Sequence, residues 1–473
     1  MRYPQIIQGG MGVAVSSWQL ARAVSQRGQL GVVSGTALDL VLTRRLQQGD
    51  IGGHIAEALA HFPIKEMADR IWKKYFVPGG KEEDAAFKSK SVHSTKPSRE
   101  LNELMVVANF VEVWLAKRGH SGIVGINLLE KIQLPTLPSL FGAILAGVDV
   151  VLMGAGIPRA IPGIIHKLAA GEAAEHKIDV MGGSASLTFD PNELGFSGPR
   201  PRPLFFGIVS SASLAHILAK KCTPGADGFV VEGPTAGGHN APPRGPLTLN
   251  EAGEPIYGER DEVDFEKMRE LELPFWIAGS YGTAEGLRDA IALGAQGIQV
   301  GTAFAYCNES GMRADLKAEV IRRSIAGEVS VFTDPLASPT GFPFKVVQML
   351  GTVSDSSVVK DRKRICDLGY LRTAYQTEDG KVGYRCPSEP IEDYVRKGGD
   401  PADCEGRLCV CNALMATIGL AQVRNGVVEA PLITSGDDVV NIKRFVRPGE
   451  TSYSADDVLN LLLADSLVPA ETL

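Results

Sequence analysis

Short apolar runs, half of them ending at glycine, punctuate the first 305 residues of the chain. They are QIIQGG (5–10), LGVVSG (30–35), IVGINL (123–128), VDVVLMG (148–154), LFFGIVS (204–210), GFVVEG (228–233), FWIAGS (275–280) and GIQVGTAF (297–304). Each is apolar nearly throughout instead of alternating, the pattern of parallel strands buried on both faces. Segments of helical spacing separate several of them, such as LPSLFGAILAGV, SLAHILAKKC and AEGLRDAIALGA. Eight strands with helical crossovers predict an α/β protein, a (β/α)8 TIM barrel, over a doubly wound sheet. The unusual residues gather at the strand C-termini, which favours the barrel.

Three stretches exceed a minimal barrel: residues 50–105, 172–203 and 240–262. The first is charged and lysine-rich, and is expected to be a solvated excursion. The second contains GFSGPRPRP and reads as a proline–arginine loop. From about residue 340 the barrel period is lost. The expected division is a barrel over 1–345 with these insertions, then a helical or mixed C-terminal cap over 346–473.

Composition narrows the class only a little. A formal net charge of −7 argues against nucleic acid as a partner. No apolar run reaches the roughly 20 residues of a membrane-spanning helix, so no membrane association is expected. The opening MRYPQIIQGGMG lacks the charged and apolar regions of a secretory leader. Seven unevenly spaced cysteines suggest a reducing, cytoplasmic setting. Cys386, Cys404, Cys409 and Cys411, with Cys366 upstream, match no standard metal spacing. They are read as packing thiols, with no metal expected. Cys307, just past the eighth run, is not assigned a catalytic role. Of the eight histidines, His166 and His216 lie in helical crossovers, and His54, His61, His93, His120 and His176 in charged or irregular stretches. His239 differs, because it stands at a strand end directly behind two glycines.

The strand ends suggest a ligand. Gly279 and Ser280 close the seventh run, while Gly301 and Thr302 lie in the eighth. In barrels these two loops often cradle a phosphate with backbone N–H groups. QGGMG (8–12) adds bare backbone at Gly10 and Gly12 around the soft side chain of Met11. Together the loops suit a planar phosphorylated cofactor, for which FMN is the natural candidate. MGAGIPRA (153–160) lacks the third glycine of a dinucleotide fingerprint and is read as a loop beside the ligand.

QGGMG, the asparagine of VGINL, AGGH (236–239), AGSYG (278–282) and QVGTAF resemble the nitronate monooxygenase family, formerly 2-nitropropane dioxygenases, over roughly residues 1–345. Flavin-dependent enoyl-ACP reductases share that superfamily. The resemblance implies a barrel binding FMN non-covalently. It would set Asn127 against the flavin or its ribityl chain, and Gly237 and Gly238 against the isoalloxazine. Gly279, Gly301 and Thr302 would hold the phosphate, joined in the site by Ser280 and Gln299. His239 would be the acid–base residue. Two positions depart from the family pattern: a proline-rich exit, HNAPPRGP, follows the histidine, and Glu232 stands where glutamine is common. A carboxylate there can accept a bond from the flavin N3–H.

The implied activity is oxidation of alkyl nitronates with O2 to a carbonyl compound and nitrite, with His239 removing the α-proton of a neutral nitroalkane. The competing reading is an NAD(P)H-dependent reductase of an enoyl thioester or quinone, with His239 as proton donor. A third is a flavoprotein subunit whose cap docks a partner. The expected partners are thus a small-molecule substrate with O2 or NAD(P)H, and a homo-oligomer is left open.

Overall fold

In the computed structural model, residues 3–464 are described. In chain order the strands begin with β1 (Ile6–Gln8), β2 (Gly31–Ser34), β3 (Val124–Leu129) and β4 (Val150–Gly154). A hairpin, β5 (Ala174–Met181) and β6 (Gly183–Phe189), precedes β7 (Leu204–Val209) and β8 (Gly228–Glu232). β9 (Phe275–Ala278) and β10 (Gly297–Val300) follow. All eight strands expected from the apolar runs form, with the last one ending at Val300 because Thr302–Ala305 turns into a short helix.

These eight strands pair in parallel in the order β1-β10-β9-β8-β7-β4-β3-β2. The Gln8 N–H donates to the Leu30 carbonyl at 2.9 Å and the Leu30 N–H to the Ile6 carbonyl at 3.1 Å, joining the two ends of the sheet. The sheet is thus a (β/α)8 TIM barrel, and closure leaves no exposed edge. Alternation along each strand makes two cores. Val32, Val150, Leu152, Phe206, Val230 and Trp276 fill the barrel's floor, and Trp276 ties it to the chain start by donating from Nε1 to the Pro4 carbonyl. The larger core lies between strands and surrounding helices. The three expected crossovers are helices Thr136–Leu145, Ala212–Lys220 and Ala284–Ala292. The latter two begin at Ser211 and Thr283, whose side chains accept from backbone N–H groups.

The additions are more ordered than expected. Residues 172–203 are no simple loop: β5 and β6 pair along their length. Outside the barrel lie β11 (Val331–Asp334) with β12 (Phe344–Val347), and β13 (Thr373–Gln376) with β14 (Val382–Arg385). β13 also pairs with β5, making a four-stranded sheet that joins a barrel insertion to the C-terminal region. A division at residue 345 falls inside β12. The 50–105 stretch carries helices His54–Ala60 and Lys65–Tyr75 and is only partly solvated. Asp39 is buried there, held by Lys90 at 2.7 Å, His93 at 2.9 Å and the Tyr370 hydroxyl at 2.6 Å. His93 is buried in this cluster, and His176 is buried on β5. No helix among the described residues is long and apolar enough to cross a membrane.

Candidate active site

An open cavity of about 1490 Å³, mouth included, lies at the C-terminal ends of the barrel strands. Every position singled out in the sequence lines it: Gly10, Met11, Gly12, Asn127, Glu232, Gly237, Gly238, His239, Gly279, Ser280, Gln299, Gly301 and Thr302. Cys307 does not; it is buried and donates its S–H to the Phe304 carbonyl.

The turn after β1 is shaped from inside the barrel. Buried Gln8 donates from Nε2 to Ser16 Oγ at 2.9 Å and accepts from the Val32 N–H at 3.0 Å. Ser16 Oγ in turn accepts from the Met11 N–H and donates to the Gly9 carbonyl. A Cβ on Gly10 would stand 2.3 Å from the Cβ of Asn127, so only glycine fits. Asn127 donates from Nδ2 to the Gly10 carbonyl at 3.1 Å, while its buried Oδ1 has no partner. Gln299 Oε1 is likewise buried and unpartnered. Two orphaned acceptors on one cavity wall are costly unless a ligand supplies donors.

The glycines before His239 answer to a different neighbour from the one expected. A Cβ on Gly237 would meet the backbone of Ser435 and Gly436 at 2.7–2.8 Å. A Cβ on Gly436 would meet Thr302 Oγ1 at 2.8 Å and the Thr235 carbonyl at 2.9 Å. The C-terminal segment 434–437 thus wedges, backbone against backbone, between the β8 loop and the start of the helix after β10. Thr434 Oγ1 accepts from the Gly238 N–H at 3.1 Å and Thr302 Oγ1 from the Gly436 N–H at 3.0 Å. The Asp437 N–H reaches the Thr235 carbonyl. Behind this segment, buried Lys345 donates to Asp437 at 2.7 Å and Thr333 at 2.8 Å. Gly238 meets no neighbour but has φ +85°, a conformation natural to glycine.

His239 packs on Phe344, with ring centroids 4.5 Å apart, and its Nε2 is 2.6 Å from Ser338 Oγ. Ser338 Oγ continues to Thr340 Oγ1 at 2.8 Å. Burial lowers the imidazole from its ordinary value to about 4, so it is neutral at physiological pH. Glu232 shifts the other way: burial raises its carboxyl to about 7. One cavity therefore holds a neutral imidazole and a carboxyl that titrates near neutrality.

At the neighbouring end of β9, Gly279 has φ +98° and Ser280 φ +60°, the latter unusual for a residue with a side chain. Gly301 is roomier, since a Cβ there would touch Met11 Sδ at 3.4 Å.

Sequence reasoning missed Ser338 and the whole C-terminal wall, where Leu414, Thr417, Leu432, Thr434, Ser435 and Gly436 line the cavity. The stretch LITSGDD (432–438) carried only a turn signal at Ser435–Gly436.

A family model described as nitronate monooxygenase matches residues 185–332, which include the ends of β8, β9 and β10. A probable nitronate monooxygenase of Staphylococcus haemolyticus is 36% identical over 98 residues, 20% of this chain and 26% of the relative. Its counterpart in Bacillus subtilis is 33% identical over 120 residues, 25% and 32% of the two chains. A Rhodococcus jostii protein named (3aS,4S,5R,7aS)-5-hydroxy-7a-methyl-1-oxo-octahydro-1H-indene-4-carboxyl-CoA dehydrogenase is 30% identical over 118 residues, 25% and 29%. The chain thus matches about a third or less of the length of these relatives. Among solved structures, FabK of Thermotoga maritima aligns with TM-score 0.49 at 17% identity, covering 98% of this chain and 93% of that one. Nitroalkane oxidase of Streptomyces ansochromogenes aligns with TM-score 0.46 at 15% identity, covering 98% and 95%. The barrel itself rests on this chain's own strand pairing. The resemblance read from the strand-end motifs is borne out over residues 185–332, where the chain is similar to the nitronate monooxygenases.

Proposed function

We propose that the protein is an FMN-dependent oxidoreductase of the nitronate monooxygenase type, acting in the cytoplasm on alkyl nitronates with O2. The observation that carries this reading is His239, neutral at physiological pH and set on a cavity wall beside unpaired acceptors. The cavity fits the cofactor. Asn127 Oδ1 and Gln299 Oε1 lack donors, and a flavin with its ribityl chain offers several. Bare backbone at Gly10, Gly12, Gly279 and Gly301 lines the same space. In this reading the turn around Met11 would flank the ring, and Gly279, Ser280, Gly301 and Thr302 would hold the phosphate. When bound, the flavin supplies the redox chemistry.

The chain's own residues supply position and a proton acceptor. A neutral nitroalkane entering the cavity meets an imidazole whose Nε2 is hydrogen-bonded to Ser338 Oγ. His239 takes the α-proton of the substrate, and the contact with Phe344 fixes the ring's direction. A substrate already present as the nitronate needs no such step. Leu129, Ile208, Met312 and Leu414 contribute apolar wall to the same cavity.

One observation favours the reductase reading. Glu232, raised to about 7, keeps a substantial protonated fraction at neutral pH that can donate to an enoyl product, whereas His239 at about 4 does not carry a second proton to give. In that version the donor is Glu232. Anaerobic mixing with NADH or NADPH, compared with aerobic turnover of an alkyl nitronate, separates the two. Nitrite release with no bleaching by NAD(P)H is the expected result; rapid bleaching with no nitrite would overturn it.

A further inference from the structure

The two nitrogens of the His239 ring live in different surroundings. The β8 loop runs antiparallel to the entry of β12, with the Lys345 N–H donating to the Gly238 carbonyl at 3.0 Å and the Asn240 N–H to the Pro343 carbonyl at 2.9 Å. That pairing seats the ring on Phe344. Nε2 then meets the Ser338 hydroxyl at 2.6 Å, whereas Nδ1 has no partner among the described residues, on a ring that lines the cavity. Ser338 is fully buried and does not line the cavity itself, so it can act only through the ring.

The serine is held in place from two sides. Asp334 Oδ1 accepts from the Leu336 and Ala337 N–H groups at 2.8 and 2.9 Å, closing the turn that leaves β11. From the C-terminal region, Arg407 donates from Nη1 to the Leu336 carbonyl at 2.7 Å and the Ser338 carbonyl at 2.6 Å. The Leu408 N–H donates to the Ala337 carbonyl at 2.9 Å. A buried hydroxyl is thereby fixed against one chosen nitrogen.

Which nitrogen carries the hydrogen follows from what that hydroxyl can do. It has one proton and two lone pairs. One lone pair receives the Thr340 N–H at 3.3 Å. The proton and the other lone pair are divided between His239 Nε2 and Thr340 Oγ1, the latter 2.8 Å away. In one arrangement Ser338 donates to Thr340 and accepts from Nε2–H, which leaves the Nδ1 lone pair free. In the other, Thr340 donates to Ser338, Ser338 donates to Nε2, and Nδ1 bears the hydrogen. Only the first is ready to receive a proton. The imidazolium it forms still donates Nε2–H to the same oxygen, whereas the second must first reverse two hydroxyls.

We propose that Ser338 is a positioning residue that holds His239 as its Nε2–H tautomer, so that Nδ1 is the atom that accepts the substrate proton. This rests on the reading of His239 as the base. One proton moves: the substrate C–H bond breaks, its electron pair stays with the nitronate, and Nδ1–H forms while Nε2–H is kept.

The test is a proton–nitrogen correlation spectrum of the purified full chain carrying isotope-labelled histidine, with the His239 signals identified by their absence from His239→Asn. Protonated and bare ring nitrogens resonate far apart, so the spectrum reads the tautomer directly. A bare Nδ1 beside a protonated Nε2 is expected; the reverse overturns the proposal, whatever the turnover. In Ser338→Ala the His239 signals should report mixed tautomers. Its kcat for nitroethane should fall by roughly 10–100-fold with KM little changed, while ethyl nitronate is spared. An unmixed Nε2–H tautomer in that variant, or equal losses on both substrates, would overturn the role of Ser338. Were Ser338→Ala to unfold, Arg407→Gln loosens the same loop: mixed tautomers there support the proposal and an unchanged spectrum overturns it. If wild-type protein releases nitrite from neither substrate, the nitronate reading falls, and the tautomer spectra still decide what Ser338 does.

Discussion

The strand-end loops of the barrel and the C-terminal segment 434–437 border the same cavity, but they were built under different rules. The loops grow from strands whose burial on both faces imposes long apolar runs, and each run points to its own loop. The C-terminal segment belongs to no such period. It acts through backbone contacts with Thr235, Gly237 and Thr302, and a backbone contact leaves little trace in residue type. The comparison teaches that a site wall can be as tightly specified as its neighbour and still carry no motif.

The largest effect should come from the barrel side. His239→Asn is expected to lower turnover of a neutral nitroalkane by ~10²–10⁴-fold while sparing the pre-formed nitronate, because only the former needs its α-proton removed. Steady-state nitrite release on both substrates measures this. Equal, small losses on the two would leave His239 a structural residue.

Next comes a pair of glycines, one from each region. Gly436→Ala forces a Cβ into Thr302 and the Thr235 carbonyl, and should destabilise by about 1–3 kcal/mol with loss of bound flavin. Gly301→Ala makes only an ordinary contact with Met11 and should be close to neutral in stability. Denaturant midpoints and flavin content of the two variants check this. Matching effects would dissolve the distinction between the two walls.

A smaller, pH-dependent effect concerns Glu232. Its folded-state value is raised to about 7 from an ordinary 4.5, so the unfolded chain loses this proton first as pH rises. Its contribution to stability is therefore full below about 4.5 and lost as pH climbs towards 7. For flavin-stripped protein, the melting temperature of Glu232→Gln relative to wild type should rise across that window and flatten above it. A gap independent of pH would mean the carboxyl is not desolvated as the fold suggests. The smallest effect is Thr434→Val, which removes the acceptor for the Gly238 N–H and should cost roughly 0.5–1.5 kcal/mol. Chemical denaturation measures it; no change would mean that bond contributes nothing to holding the segment.

Much of the barrel was legible because parallel strands need near-continuous apolar residues and strand ends need glycine. That is why QGGMG, AGGH, AGSYG and QVGTAF, far apart in the chain, could be assigned to one site before any coordinates. Misreadings followed physical lines as well. The proline–arginine loop concealed a hairpin, since residues 174–189 alternate buried and exposed positions instead of forming an apolar run. His93 lies among charged residues in sequence, yet it is buried against Asp39 and Tyr370, both far away in the chain.

By itself, then, the amino-acid order determined the strand count, the parallel arrangement and the placing of His239 at a strand end, because local burial patterns and turn chemistry carry those. Only the tertiary structure decided why Gly237 must be glycine, that Ser338 stands beside His239, and that the chain's last quarter closes the cavity. Those depend on contacts between segments far apart in the chain, 196 residues in the case of Gly238 and Thr434. A position's own neighbours in sequence cannot encode which backbone will one day press against it.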